Sequence, residues 1–234
     1  MIALIKNSFS DLMHLFYPEV CQGCSTSLFK GENVLCFTCK AQLPIAYQHL
    51  DADDKVKELF YGRTEIAHAR SLFFYEKIGI VQQLTHALKY QGQEQISSYL
   101  GKMMSEHMKT DPGFQKVTHV LPVPVHPKRL KKRGYNQVDG FGKEIAKALN
   151  AKYLPNLLVK TKNTINQAKL GQVKRSDETK SIYTLNEPER IPEGTHLLIV
   201  DDVITTGTTL SLCTRELQNI QGIKLYVATM SISI

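Results

Sequence analysis

Apolar positions along this 234-residue chain repeat with two different periods. From residue 65 onward, short β-like runs alternate with stretches whose apolar residues fall on one helical face. The spacing predicts strands over "ARSLFFYE", "THVLPVPV", "NLLVKT", "THLLIVDD" and "KLYVATMSI". It predicts helices over "IGIVQQLTHALKY", with Ile80, Leu84 and Leu88 on one face, and over "GFGKEIAKALN" and "GTTLSLCTRELQ". The run Leu197–Val200 has no polar side at all, which is the pattern of a strand covered on both faces. Such alternation predicts an α/β fold in which a mainly parallel sheet is flanked by helices. The polar, Lys-rich segment from Thr161 to Leu185 has no clear period and reads as a loop with ribbon-like ends.

At the N-terminus, Ile2, Ile5, Phe9, Leu12, Met13 and Phe16 share one helical face, expected to pack on the rest of the protein. Lys6, Asn7 and Ser8 interrupt the apolar stretch, and no basic segment precedes it, so the reading is against a signal peptide. No run approaches the roughly 18 apolar residues of a membrane span, and a cytoplasmic location is expected.

Composition sharpens this picture in two places. A net charge of +7 favours an anionic partner, whether phosphate compound, nucleic acid or membrane surface. Cys21 and Cys24, then Cys36 and Cys39, form two CxxC pairs with eleven residues between them. Two such knuckles make a tetrahedral four-thiolate site for structural zinc, with no open position for chemistry. Gly23 is expected to supply a positive φ there, while His14 and His49 are weaker ligand candidates and Cys213 is expected in the core. The composition changes near residue 45. The chain therefore divides into an N-terminal helix and zinc-ribbon-like module (1–45) and an α/β domain (46–234).

The chemistry concentrates in "LLIVDDVITTGTTL". Ligands of open α/β sheets sit beyond the carboxyl ends of the strands, where Asp201 and Asp202 stand. The following turn leads into a helix whose N-terminal N–H groups and dipole favour an anion. Gly207 keeps side chains away from that backbone, and Thr205, Thr206, Thr208 and Thr209 add hydroxyl donors. Carboxylates for vicinal hydroxyls beside a phosphate cradle suit a sugar phosphate. The stretch from Val200 to Thr209 resembles the phosphoribosyl-pyrophosphate loop of type I phosphoribosyltransferases. With "VLPVPVHPKRLKKRGYNQ", the CxxC pairs, "LKYQGQ" and "TINQAKLGQVKR", the chain resembles the ComF family of competence-associated phosphoribosyltransferase-like proteins over nearly its whole length.

That resemblance implies a type I phosphoribosyltransferase fold carrying a small four-cysteine zinc module. It also implies a role in natural transformation, in the uptake and handling of single-stranded DNA. Asp201 and Asp202 are then the catalytic pair, holding ribose hydroxyls and Mg²⁺ of phosphoribosyl pyrophosphate. The basic run Lys128, Arg129, Lys131, Lys132 and Arg133 supplies charge for the pyrophosphate, with Arg129, Lys131 and Arg133 as contacts. Gln167 and Arg175, with Thr164, Lys169 and Lys174, form a candidate lid. Lys89 and Tyr90 are motif positions that either touch ligand or brace the hood of the site, and Tyr135 either stacks on a base or ring or covers the sheet. Two functions fit: a pentosyl transferase with an unidentified acceptor, or a non-catalytic protein that keeps the site to sense ligand or hold nucleic acid. Proteins of a DNA-uptake machine are the expected partners.

Overall fold

The computed structural model describes residues 19–161 and 182–233. Helix α1 (Phe37–Ala41) lies in the cysteine module and α2 (Leu50–Glu58) follows it. Next come β1 (His68–Phe74), α3 (Ile80–Tyr90), α4 (Gln95–Met108), β2 (His119–Pro122), α5 (Pro127–Arg133), α6 (Asp139–Ala148) and β3 (Lys152–Tyr153). Strands β4 (Leu158–Lys160) and β5 (Tyr183–Leu185) pair as an antiparallel ribbon. β6 (His196–Ile204), α7 (Thr208–Leu217) and β7 (Lys224–Ile232) close the chain's order of elements.

Five strands form one sheet in the order β1-β7-β6-β2-β3, each neighbouring pair parallel. Side chains alternate across a strand, and here both faces are covered. Leu198 and Val200 of β6 point into a core shared with Leu84 and Leu88 of α3, Met104 of α4 and Phe141 and Ile145 of α6. Leu197, Ile199 and Ile204 point the other way, among Val56 of α2 and Leu210, Cys213 and Leu217 of α7. Burial on both sides is why that strand reads as an unbroken apolar run.

Helix α4 lies outside the sequence expectations, for a packing reason. Its buried face mixes Ile96, Leu100, Met104 and Met108 with Ser97, Gly101 and Ser105. A Cβ on Gly101 would come within 2.8 Å of the Phe141 backbone, so α4 and α6 approach closely only because that position is bare. The small residues that permit the contact also dilute the apolar stripe.

The cysteine module shares the α3 face of the core: Cys21, Val34, Leu35, Cys39 and Leu43 pack into the same cluster as Leu84 and Leu88. At residues 44–46 the chain runs beside the edge strand β1. The Phe74 N–H donates to the Pro44 carbonyl at 2.8 Å, and the Ala46 N–H to the Leu72 carbonyl at 2.9 Å. Among the described residues no helix is long and apolar enough to cross a membrane.

Candidate functional site

Strand lengths open the site. β2 stops at Pro122, paired with Val200, and the Val123 N–H makes the last bond to the Val200 carbonyl at 2.8 Å. Pro122 and Pro124 lack the N–H that further pairing would need. β6, expected to end with the aspartates, continues beside β7 to Ile204. Asp201 and Asp202 therefore lie in a strand anchored on one side and laid bare on the other.

Adjacent strand residues face opposite ways, and the two carboxylates meet different surroundings. Asp202 looks toward α3. Its Oδ2 accepts from the Lys89 ammonium at 2.7 Å and from Gln137 Nε2 at 3.1 Å, and its Oδ1 accepts the Val203 N–H at 2.7 Å. Asp201 looks toward α7 and the β4–β5 ribbon. Its Oδ1 accepts the Asp202 N–H at 2.8 Å, and among the described residues no donor reaches its Oδ2. Burial, then the neighbouring Asp202 charge, holds the Asp201 carboxyl above the usual carboxylate range.

The turn after β6 is shaped by Gly207, which sits at φ +69° as the residue before α7, with no side chain capping the helix. A Cβ there would also press to 3.1 Å on Leu59. The first N–H groups of α7 are thus left for a ligand. Thr205, Thr206, Thr208 and Thr209 surround the turn, all exposed, and the Thr206 and Thr208 hydroxyls pair at 2.9 Å. A small cavity of about 40 Å³ lies against this turn and Asp201. A larger crevice of about 240 Å³ adjoins it, sharing Asp201, Val203 and Thr209.

Cations line the rest of that crevice: Lys89, Arg129, Arg133 and Lys160, with His126 and the exposed ring of Tyr90. The basic run forms helix α5. Pro127 starts it, His126 Nδ1 caps it by accepting the Lys128 N–H at 3.2 Å, and Gly134 ends it at φ +89°. These are ordinary helix boundary signals, hidden in the sequence by the density of charge. Arg129 reaches the crevice wall, whereas Lys128, Lys131 and Lys132 are exposed and do not line it.

Arg133 does line it but is held. Its Nε donates to the Lys89 carbonyl at 3.1 Å and its Nη1 to Gln137 Oε1. Tyr135 likewise donates to the Leu88 carbonyl at 2.5 Å. Arg133, Lys89, Asp202 and Gln137 so form a closed ring joining α5, α3 and β6.

Two wall residues were not singled out from the sequence. Gln137 is the last residue of the "GYNQ" motif, and Lys160 ends β4 with its ammonium donating to the Tyr183 hydroxyl at 3.3 Å. Burial pushes the Lys160 pKa down. Nothing in local spacing marks either residue, because the ribbon and the segment before α6 reach the crevice only through the tertiary fold. The lid candidates Gln167 and Arg175, with Thr164, Lys169 and Lys174, fall outside the described residues, as does His14.

In the cysteine module the sulfurs of Cys21, Cys24, Cys36 and Cys39 all lie within 4.8 Å of one another. Cys24 and Cys36 Sγ are 3.7 Å apart, close to the edge of a tetrahedron with Zn–S bonds of about 2.3 Å. The Gly23 and Cys36 N–H groups donate to Cys21 Sγ at 3.4 and 3.2 Å, and the Cys39 N–H to Cys36 Sγ at 3.4 Å. Backbone donors aimed at sulfur suit thiolates, and the cluster fits a zinc ion. His49 is not in the cluster; its ring meets Phe74 at 5.2 Å. Gly23 acts through space rather than dihedral angle. It is absent from the positive-φ positions, where Ser25 stands at 61° instead. A Cβ on Gly23 would lie 3.0 Å from Cys39 Sγ.

Comparison with known proteins agrees with this geometry. Residues 140–230 match the phosphoribosyl transferase domain. Competence protein F of Haemophilus influenzae is 25% identical over 215 residues, covering 89% of this chain and 88% of that protein. Competence protein ComFC of Bacillus subtilis is 22% identical over 80% of this chain and 79% of its own length. The DNA utilization protein YhgH of Escherichia coli O6:H1 is 29% identical over 131 residues, 55% of this chain; the match spans only 56% of that relative's length. A parallel sheet with an acidic pair and an anion-ready turn at its carboxyl edge, a matching domain over residues 140–230 and these relatives together support a ComF-family, phosphoribosyltransferase-like protein.

Proposed function

We propose that the protein binds phosphoribosyl pyrophosphate with Mg²⁺ in the crevice above β6 and works, in the cytoplasm, as a pentosyl transferase of the DNA-uptake pathway. One observation carries the reading: an acidic pair on the open side of a strand, continuous with an uncapped helix N-terminus on one flank and with cations on the other. In this reading the turn from Thr205 to Thr209 takes the 5-phosphate through backbone N–H groups and hydroxyls. Asp201 and Asp202 face the ribose hydroxyls. Arg129, with Lys89 and Lys160 nearby, faces the pyrophosphate, while Arg133 holds the wall and Lys131 adds charge outside it.

Transfer breaks the C1–O bond to pyrophosphate and forms a bond from C1 to the acceptor nucleophile, through a sugar that becomes electron-poor. The negative charge of Asp201 and Asp202 favours that cationic sugar, and the basic wall favours the departing pyrophosphate. Mg²⁺, held through carboxylate, hydroxyls and water, would neutralise the phosphates. Asp201 Oδ2, which no donor among the described residues reaches, fits such a role.

The names of the relatives, one for DNA utilization and two for competence, together with exposed Lys128, Lys131 and Lys132, support single-stranded DNA as a further partner. We assign residues 1–45 to the zinc module and 46–234 to the transferase domain.

Calorimetric titration with phosphoribosyl pyrophosphate and Mg²⁺ tests the reading. Binding with a Kd on the order of micromolar is expected for the native protein and is lost in the Asp201→Ala/Asp202→Ala variant. An affinity unchanged by the double substitution, or no binding by the native protein, refutes it.

A further inference from the structure

The two aspartates are unequal in a way that bears on the metal. Asp202 already has a cation. The Lys89 ammonium sits 2.7 Å from its Oδ2, in a pair whose side chains are only 25% and 9% exposed. Gln137 and the Val203 N–H fill further acceptor positions on the same carboxylate. Asp201, by contrast, has one backbone donor and an open oxygen among the described residues.

Lys89 is not a wandering surface side chain. It stands in the last turn of α3, where the carbonyls of Leu88 and Lys89 are clamped by Tyr135 and Arg133. Arg133 is bonded in turn to Gln137, whose amide returns to Asp202. Four side chains thus fix the ammonium where a divalent ion would otherwise compensate Asp202. An ion arriving there must displace a positioned charge from a partly desolvated carboxylate, which costs far more than displacing water.

We propose that Lys89 is the resident counter-cation of the acidic pair, a positioning residue that keeps divalent metal off Asp202 and confines it to the Asp201 side. This rests on the phosphoribosyl reading for its biological sense but not for its test. With Asp202 already balanced, the ribose hydroxyls meet a fixed acceptor, and phosphoribosyl pyrophosphate gains little from metal at this carboxylate.

The test uses the full-length, zinc-loaded protein and Mn²⁺ alone as probe, with free Mn²⁺ followed by electron paramagnetic resonance. Lys89→Met should strengthen Mn²⁺ binding at least tenfold, because the competing ammonium is gone and Asp202 is left uncompensated. Lys89→Arg should stay within about threefold of the native protein, and Lys89→Met/Asp202→Asn should lose the gain. A residue that only braced the fold would not tighten metal binding when removed. Unchanged or weaker Mn²⁺ binding in Lys89→Met, or a gain that survives Asp202→Asn, overturns the proposal. Phosphoribosyl pyrophosphate is titrated in parallel, with Mg²⁺ and with chelator. Native protein that fails to bind it in both overturns the proposed function, while the Mn²⁺ result still judges Lys89. If Lys89 acts as proposed, the ratio of affinities with and without Mg²⁺ is larger in Lys89→Met than in the native protein.

Discussion

Replacing the two aspartates one at a time by asparagine should affect stability unequally, destabilising only at Asp202, although the residues are adjacent and chemically identical. Asp202→Asn would leave the Lys89 ammonium without its charge partner. Exposed ion pairs contribute about 0.2–1 kcal/mol, and removing one partner of a fully buried pair costs about 3–5 kcal/mol. Side-chain exposures of 25% and 9% place this pair between those limits. A loss of roughly 2 kcal/mol follows, or a Tm lower by about 4–8 °C for a chain of this size. Asp201→Asn removes a charge that burial and Asp202 disfavour, while the amide oxygen can still accept the Asp202 N–H. Its effect should run from neutral to about 1 kcal/mol stabilising, as is common where a functional site holds an unfavourable charge.

The sign with pH follows from the raised carboxyl. Between its unfolded and folded pKa values, native Asp201 binds more proton than the unfolded chain, so its contribution falls as pH rises through that window. The advantage of Asp201→Asn over the native protein should therefore grow with pH until the folded pKa is passed. Thermal melts of ligand-free, zinc-loaded protein between about pH 5 and 8.5 measure both effects. Equal destabilisation by the two variants, or a difference that shrinks as pH rises, would refute the assignment of distinct environments.

Two further outcomes are expected. Cys39→Ser should reduce bound zinc from about one per chain to a small fraction, measured by mass spectrometry of the native protein. It should also lower Tm, because Cys39 and Leu35 belong to the core beneath α3. Gly101→Ala sets a helix-propensity gain of about 1 kcal/mol against overpacking of about 1–3 kcal/mol. With Phe141 backbone 2.8 Å from the new Cβ, overpacking should win by about 0.5–2 kcal/mol in urea unfolding; a more stable variant would mean that α4 and α6 part easily.

Much of this protein was legible in its linear pattern because the signals are local. The period of β6, α7 and β7 is set by which side chains each element must bury, and "KLYVATMSI" is the observed β7 residue for residue. The CxxC pairs converge because each knuckle is a short turn, and the phosphate turn is a strand, a glycine and a helix start in immediate succession. What the order of residues did not carry depends on elements far apart in the chain. Helix α4 was hidden because its contact with α6 requires Ser97, Gly101 and Ser105 where a lone amphipathic helix would carry larger apolar groups. Helix α5 was masked by charge, though Pro127 and Gly134 bound it. The difference between Asp201 and Asp202 could not be read from two identical letters. It arises because β2 ends at Pro122, because strand geometry turns the two carboxylates to opposite faces, and because α3 brings Lys89 to one of them from a distant part of the chain.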